Sequence, residues 1–229
     1  MKPWQKQEWV IPTVGAAFVA CMEDVLDLYA EPYDPAFPVV CFDEVPIQLI
    51  GEKRAALPMR PGSPERIDYE YIRNGTCNGF VLVEPLQGRR HVTVTDHRAN
   101  ADFAAQMRWL VDDAYPHAER IRVVLDNLNT HKAAALYETY PPAAARRIVR
   151  KLEFHYTPTH GSWLNMAELE LSVIARQCLD QRIPTAERLR EVLASYVARR
   201  NAAKAMITWQ FTNEKARIKL QRLYPSNSP

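Results

Sequence analysis

Cysteine is scarce in this sequence, and its few thiols lie far apart. The 229 residues include four cysteines, Cys21, Cys41, Cys77 and Cys178, with no CxxC pair among them. Structural zinc sites and disulfide frameworks both depend on recurring, closely spaced cysteines. Neither is expected here, and we interpret the four thiols as small buried hydrophobes in a reducing cytosol.

Long apolar runs are also missing. No charge-free apolar stretch reaches the length of about 18 residues that a membrane-spanning helix needs. The N-terminal residues 1–6 contain neither an apolar core nor a small-residue cleavage site, which argues against a secretory signal. With 47% hydrophobic and 24% charged residues, the composition is typical of a soluble globular protein, and we expect a cytoplasmic location without membrane contact.

Net charge is small, but its distribution is uneven. The whole chain carries +2, whereas residues 1–50 contain two basic and eight acidic side chains and residues 176–222 contain eleven basic and four acidic ones. A basic C-terminal quarter beside an acidic region is compatible with a polyanion lying across the protein. The alternative is a set of solvated helix faces.

Hydrophobic periodicity predicts an α/β fold. Helical spacing over residues 15–30 is followed by a proline-rich linker, a strand that starts at Val39 and continues with alternation to Leu49, and a proline-rich loop over residues 56–66. Three further strand-like runs follow, over 68–73, 79–84 and 91–95, and turn-forming Asn74-Gly75 and Gln87-Gly88 separate them as in an antiparallel meander.

From about residue 101 the periodicity alternates between helix and strand. Helices are predicted over 101–114, 136–152 (interrupted by Pro141-Pro142), 164–179 and 185–203, and strands over 121–125 and 154–156. A meander followed by alternating strands and helices indicates a mixed sheet with helices packed on it. Ligands in such folds gather at the carboxyl ends of strands.

Two aspartates fall at or near such positions. Asp43 follows Val39–Phe42, and Asp126 follows the apolar run Ile121–Leu125. A carboxylate in such a place is costly unless something satisfies its charge. Each residue could cap or begin a turn. The functional alternative is a hard cation such as Mg²⁺, which takes oxygen ligands.

Glu168 belongs to a polar stripe on a largely apolar helix. Asn165, Glu168, Ser172 and Arg176 are three or four residues apart and therefore share one helix face. Such a stripe either lines a cleft or faces solvent on a packed helix. Glu170 points away from it, so Glu168 is the better candidate for a metal ligand.

Three sequence blocks resemble one family. Cys41–Glu44, Leu125–His131 (LDNLNTH) and Tyr156–Glu168 (YTPTHGSWLNMAE) occur in the order of a first Asp-Glu, a DNxxxH block and an LNxxE block. This order resembles the catalytic domain of DDE transposases, and in particular the bacterial insertion-sequence transposases related to mariner elements. The resemblance extends over roughly residues 1–225.

That resemblance implies an RNase H-like fold with a mixed five-stranded sheet flanked by helices. It implies Asp43, Asp126 and Glu168 as ligands of two Mg²⁺ ions, with Mn²⁺ as a substitute, and strand cleavage followed by strand transfer at one site. It also implies DNA as the partner, in the form of element ends and target duplex, a homodimer, and a nucleoid-associated state of the bacterial protein when it is bound to DNA.

Other residues are candidates for contact with DNA. His131 could position water or phosphate, or bond only within its own loop. Arg176, Arg199 and Arg200 are candidate phosphate contacts, and Asn165 shares the Glu168 stripe.

The predicted organisation has three parts. Residues 1–37 form an N-terminal helical segment and linker, residues 38–205 the RNase H-like DDE catalytic domain, and residues 206–229 a basic C-terminal tail. Asp126 and Glu168 are 42 positions apart, longer than the resembled family's usual spacing, and we place the extra residues around 141–147. Relatives also carry an N-terminal helix-turn-helix region, which implies that this chain is a fragment or truncated copy, or that a separate polypeptide recognises DNA ends.

Two other functions fit the same residues. An RNase H-like nuclease would cut DNA without strand transfer and would use identical carboxylates. A catalytically silent DNA-binding remnant would be favoured by loss of an acidic ligand, but all three candidates are present.

Overall fold

A computed structural model describes residues 15–225. The first 14 residues of the predicted N-terminal segment and the last four of the predicted tail lie outside this range. Five strands and seven α-helices are defined in it: α1 (Ala16–Ala30), β1 (Val39–Glu52), β2 (Tyr71–Glu84), β3 (Arg89–Thr95), α2 (Asn100–Trp109), β4 (Ile121–Leu125), α3 (Ala133–Thr139), α4 (Pro142–Lys151), β5 (Leu152–Tyr156), α5 (Met166–Gln177), α6 (Ala186–Ala202) and α7 (Asn213–Lys219).

The strands form one mixed sheet in the order β3-β2-β1-β4-β5. Strands β1, β2 and β3 pair antiparallel, whereas β4 pairs parallel with both β1 and β5. The runs of the predicted meander lie in β2 and β3, and β1 is the third antiparallel strand. The parallel part is the predicted alternation of strand and helix. The predicted mixed five-stranded sheet is confirmed.

Alternating side chains divide the core between the two faces of the sheet. Val40 and Phe42 of β1 belong to a cluster with residues of α2, α3 and α4, while Cys41 packs with α1 and the start of α5. A further cluster joins β1 and β2 to α5 and α6. This two-residue period is what a strand requires when helices cover both faces.

One predicted turn is wrong. Asn74-Gly75 lies inside β2, so the predicted runs over 68–73 and 79–84 contribute to a single strand. The β1–β2 register shifts between Gln48 and Ile50, and Gly75 has a φ of +100°. Two residues of β2 therefore oppose one of β1 as a β-bulge, a backbone geometry that glycine adopts without strain.

Proline and a capping threonine set several helix ends as predicted. Pro141-Pro142 separates α3 from α4, with Pro142 as the first residue of α4, where a missing N–H costs nothing. The Thr185 side chain accepts a hydrogen bond from the Arg188 N–H and begins α6. Helix α2 ends in a π-helical turn, Leu110–Ala114.

The C-terminal segment packs against α1. Arg217 of α7 lies 2.8 Å from Glu23, Tyr224 donates to the same carboxylate over 2.8 Å, and Asn213 donates to Asp27 over 2.6 Å. The hydrogen bond from Arg217 lowers the pKa of Glu23. Part of the charge asymmetry noted in the sequence is thus neutralised within the protein.

Two expectations about apolar residues concern the described range directly. No helix there is long and apolar enough to cross a membrane. All four cysteines are free thiols; Cys41, Cys77 and Cys178 are buried, as expected for small core residues, whereas Cys21 is only partly buried.

Candidate active site

The sheet places Asp43 beside Asp126. Parallel pairing of β1 with β4 aligns Val39 with Arg122 and Cys41 with Val124. Continued by two residues, the same register sets Asp43 against Asp126, just beyond the end of β4. Since neighbouring strands are about 4.8 Å apart, the two predicted ligands occupy adjacent positions at the C-terminal end of β4, within the sheet rather than at an outer strand.

Asn165 connects β1, next to Asp43, to the helix that carries Glu168. Its side chain donates a 2.8 Å hydrogen bond to the carbonyl oxygen of Phe42, the residue before Asp43. The same side chain accepts from the Ala167 N–H and caps α5. Glu168 follows in the first turn of α5 and is exposed, where the helix dipole favours a negative charge. One buried amide thus fixes two candidate ligands relative to each other.

The electrostatics of Asp43 reflect this convergence. Burial is the largest cause that raises the pKa of Asp43 to about 7; the carboxylates of Glu168, Glu44 and Asp126 add to it, and the Glu44 N–H opposes it. That N–H donates to Asp43 Oδ1 over 2.8 Å. Mutual repulsion among carboxylates is the environment that a bound cation relieves.

A preformed metal cage is absent from residues 15–225. No three histidine, cysteine, aspartate or glutamate side chains in this range are arranged to hold a metal ion by themselves. Mg²⁺ is usually bound by one or two carboxylates, with waters and substrate phosphates completing its shell. The all-oxygen character of Asp43, Asp126 and Glu168 and the raised pKa of Asp43 fit Mg²⁺ or Mn²⁺ held in that way.

His131 is held between two carboxylates. Its Nδ1 lies 2.5 Å from Asp126 Oδ1, and its Nε2 lies 3.0 Å from Glu44 Oε2. Arg98 Nη1 in turn lies 3.3 Å from Glu44 Oε1. Burial alone would lower the pKa of His131, but the Asp126 and Glu44 carboxylates outweigh it and raise the pKa to about 9.

Burial corrects the expectation that His131 and Asn165 contact DNA. Each side chain is only 1% exposed, and each is engaged by protein groups. A duplex cannot reach either in this arrangement, so their place is behind the candidate ligands.

The three arginines differ in accessibility. Arg176 and Arg199 are exposed, and their hydrogen-bond partners, the Ser172 carbonyl and the Gln177 side chain, leave further N–H groups at the surface. Arg200 is partly buried, with Nη2 3.5 Å from Glu170 Oε2. Its ion pair with Glu170 competes with the predicted phosphate contact.

Glu170 anchors α5, a role that sequence reasoning missed. Its carboxylate lies 2.8 Å from Arg90 Nε of β3 and accepts a hydrogen bond from the Tyr196 hydroxyl of α6. The Arg90 side chain is 0% exposed and that of Glu170 1%. Its burial could have been inferred from spacing, because Glu170 lies four residues before the buried Ile174 and therefore on the same face of α5.

Glu44 carried a similar signal. Alternation along β1 puts it on the same face as Val40 and Phe42, which point into the core. A charged residue at a core-facing strand position needs a buried partner. The partner, His131, is far away in sequence and was not paired with it.

Fold and site together define a DDE endonuclease domain. A sequence profile described as DDE superfamily endonuclease matches residues 38–190, so the chain belongs to this family. Its RNase H-like fold is confirmed by solved structures with the same architecture. A comparison with curated proteins gives no match.

Similar solved structures include complexes of the Mos1 mariner transposase. The Mos1 mariner paired-end complex with Mn superposes with a TM-score of 0.56 at 18% identity, covering 88% of this chain and 63% of that one. The paired-end complex with the left transposon end gives 0.55 at 17% identity, with 90% and 64% covered. The Mos1 strand transfer complex gives 0.53 at 16%, with 89% and 63% covered. The chain thus spans slightly under two thirds of these relatives.

Proposed function

We propose that this protein is the catalytic part of a DNA transposase, of the bacterial insertion-sequence group related to mariner elements, which cleaves DNA and then transfers the cut strand. The proposal is supported by the β1–β4 register, which sets Asp43 beside Asp126, and by the nearby charge of Glu168, which raises the pKa of Asp43, in a DDE endonuclease domain. The similarity to the Mos1 strand transfer complex supports the second step.

Two divalent ions, Mg²⁺ or Mn²⁺, are the proposed cofactors. Asp43 neighbours both other carboxylates and would be shared, with Asp126 and Glu168 each completing one of the two sites. Bound there, the ions would activate a water or a DNA 3′-hydroxyl and stabilise the leaving oxygen. Complexes of Mos1 with Mn and with Mg support this choice of metal.

The protein's own part in the reaction is to hold these carboxylates in place. β1 and β4 fix the backbone of Asp43 and Asp126, and the Asn165 amide fixes the start of α5 against β1. Most of the catalytic effect in phosphoryl transfer comes from positioning and electrostatics. Two paired strands inside a sheet are therefore a suitable support for catalytic carboxylates.

DNA is the proposed partner, in the form of element ends and a target duplex, and exposed Arg176 and Arg199 are proposed phosphate contacts. A homodimer, a cytoplasmic and nucleoid-associated location, and a catalytic domain over residues 38–205, between an N-terminal segment and a C-terminal tail, belong to the same proposal. The paired-end complexes of Mos1 support DNA binding by this fold.

A nicking assay tests the function. We expect Mg²⁺- or Mn²⁺-dependent nicking of a labelled duplex by the wild type and its loss in Asp126→Asn, which keeps the size of the side chain and removes its charge. Glu84→Gln, a buried carboxylate hydrogen-bonded to Tyr115 at the other end of the sheet, is the matched control and should nick normally. Retained nicking in Asp126→Asn would refute the assignment.

A strand-transfer assay then separates the transposase from a simple nuclease. A pre-nicked end with a free 3′-hydroxyl is supplied together with a supercoiled target. Joined product supports the transposase. Nicking without any joined product would instead identify a nuclease.

A further inference from the structure

Glu44, which lies next to the candidate ligand Asp43 on β1, has no role in the metal binding proposed above. Glu44 follows Asp43 directly, but its side chain points to the opposite face of β1, where it is 2% exposed. There it meets His131, whose own side chain is 1% exposed. The pair lies on the face of the sheet that α2, α3 and α4 cover, opposite the face that carries Asp43.

The histidine ring is fixed on every side. Phe42 packs against it edge-on at 5.1 Å between ring centroids, and Phe103 stacks on it at 5.2 Å. Glu44 approaches Nε2 and Asp126 approaches Nδ1. A ring held in this way has one orientation, so the direction of its Nδ1 is set by the core.

The contacts of Asp126 are asymmetric. His131 Nδ1 and the more distant Leu128 N–H both engage Oδ1. Within residues 15–225, Oδ2 makes no hydrogen bond. The Asp126 side chain is also 36% exposed. His131 thus holds Oδ1, while Oδ2 remains available for a ligand at the C-terminal end of β4.

We propose that Glu44 and His131 are positioning residues that hold Asp126 by Oδ1 so that Oδ2 can bind the divalent ion, with Arg98 steadying Glu44. The chain of contacts runs from Arg98 through Glu44 and His131 to Asp126. It rests on the proposed function, because it takes Asp126 to be a metal ligand. Outer residues of this kind typically change metal affinity 10–100-fold when they are replaced.

Two substitutions of His131 distinguish positioning from packing. The amide of His131→Asn can take the place of Nδ1 and keep the contact with Asp126, whereas the amide of His131→Gln can take the place of Nε2 and keep only the contact with Glu44. Asparagine is the smaller residue and leaves the larger cavity. A packing role therefore predicts that His131→Asn is the more damaging change, and a positioning role predicts the reverse for metal affinity.

The readout is the Mn²⁺ affinity of the full chain, measured by titration with detection of free Mn²⁺ by electron paramagnetic resonance. Thermal unfolding without metal is followed in parallel. We expect His131→Gln to weaken Mn²⁺ binding by about 10–100-fold and His131→Asn to weaken it less. Glu44→Gln should weaken binding in the same direction, while the control Glu84→Gln leaves it unchanged.

The results separate this proposal from the one on which it rests. If Asp126→Asn weakens Mn²⁺ binding but His131→Gln binds as tightly as His131→Asn or more tightly, Asp126 is a ligand and the positioning role is refuted. If Asp126→Asn itself binds like the wild type, the metal assignment and the positioning role fall together. Lower thermal stability in the His131 variants with unchanged Mn²⁺ affinity would also overturn the positioning role.

Discussion

Removal of the Glu170 carboxylate should destabilise the protein strongly, because this buried group ties α5 to β3 and α6. In Glu170→Ala, Arg90 keeps its hydrogen bonds to the carbonyl groups of Gly88 and Ala205. Its Nε, however, loses the contact at 2.8 Å, and the Tyr196 hydroxyl loses its acceptor.

The magnitude follows from burial. The Arg90 and Glu170 side chains are 0% and 1% exposed, and removal of one partner of such a pair costs about 3–5 kcal/mol because the other charge is left uncompensated. We therefore expect Glu170→Ala to lower the free energy of unfolding by about 4 kcal/mol. The double variant Glu170→Ala/Arg90→Met should recover part of this loss, since the fully buried charge of Arg90 is then no longer stranded.

The assay is urea unfolding followed by circular dichroism, with an exposed ion pair as control. Arg188 and Glu191 lie 3.0 Å apart on α6 with side chains 55% and 67% exposed, so Glu191→Ala should cost less than about 0.5 kcal/mol. A Glu170→Ala loss as small as that of Glu191→Ala would show that the buried network does not hold α5, and the reasoning would be wrong.

Three further outcomes follow from the site. In the metal-free protein, the raised pKa of Asp43, about 7, means that the folded state holds a proton that the unfolded chain releases, so stability falls as the pH rises from about 4 to about 7. Asp43→Asn should remove this fall and be more stable than the wild type at about pH 8, measured by thermal unfolding with a chelator. Equal or lower stability of the variant at that pH would contradict a raised pKa of Asp43. Asn165→Ala should cost about 1–2 kcal/mol, whereas Asn165→Ser, which can still cap α5, should cost less; equal losses in urea unfolding would exclude the cap. Arg176→Ala should weaken duplex binding and reduce its salt slope by about 1, and an unchanged slope in a salt titration would remove Arg176 from the DNA contacts.

Much of the fold could be predicted because local pattern and tertiary structure agree there. The apolar run before Asp126 forms a strand buried on both faces, and alternation along β1 matches its two covered faces. The predicted turn at Asn74-Gly75 is wrong because a turn and a bulge favour the same residues. Only the pairing of β2 with β1 decides between them.

The candidate ligands could be named from the sequence, but not the groups that hold them. The apolar runs before Asp43 and Asp126 and the helical spacing around Glu168 indicate these three residues. By contrast, the partners Glu44 and His131 are 87 positions apart in sequence, and Asn165 meets Phe42 across 123 positions. No local period carries information about such contacts, so the sequence alone does not indicate that His131 and Asn165 are buried.

The most direct test of the central claim is a crystal structure of the full chain with Mn²⁺, with the metal located by its anomalous scattering. We predict an anomalous peak at the C-terminal end of β4, bound by Asp43 together with Asp126 or Glu168. When DNA supplies a phosphate, we expect a second peak at the remaining carboxylate. Mn²⁺ bound only at other residues, with all three carboxylates free of metal, would contradict the account.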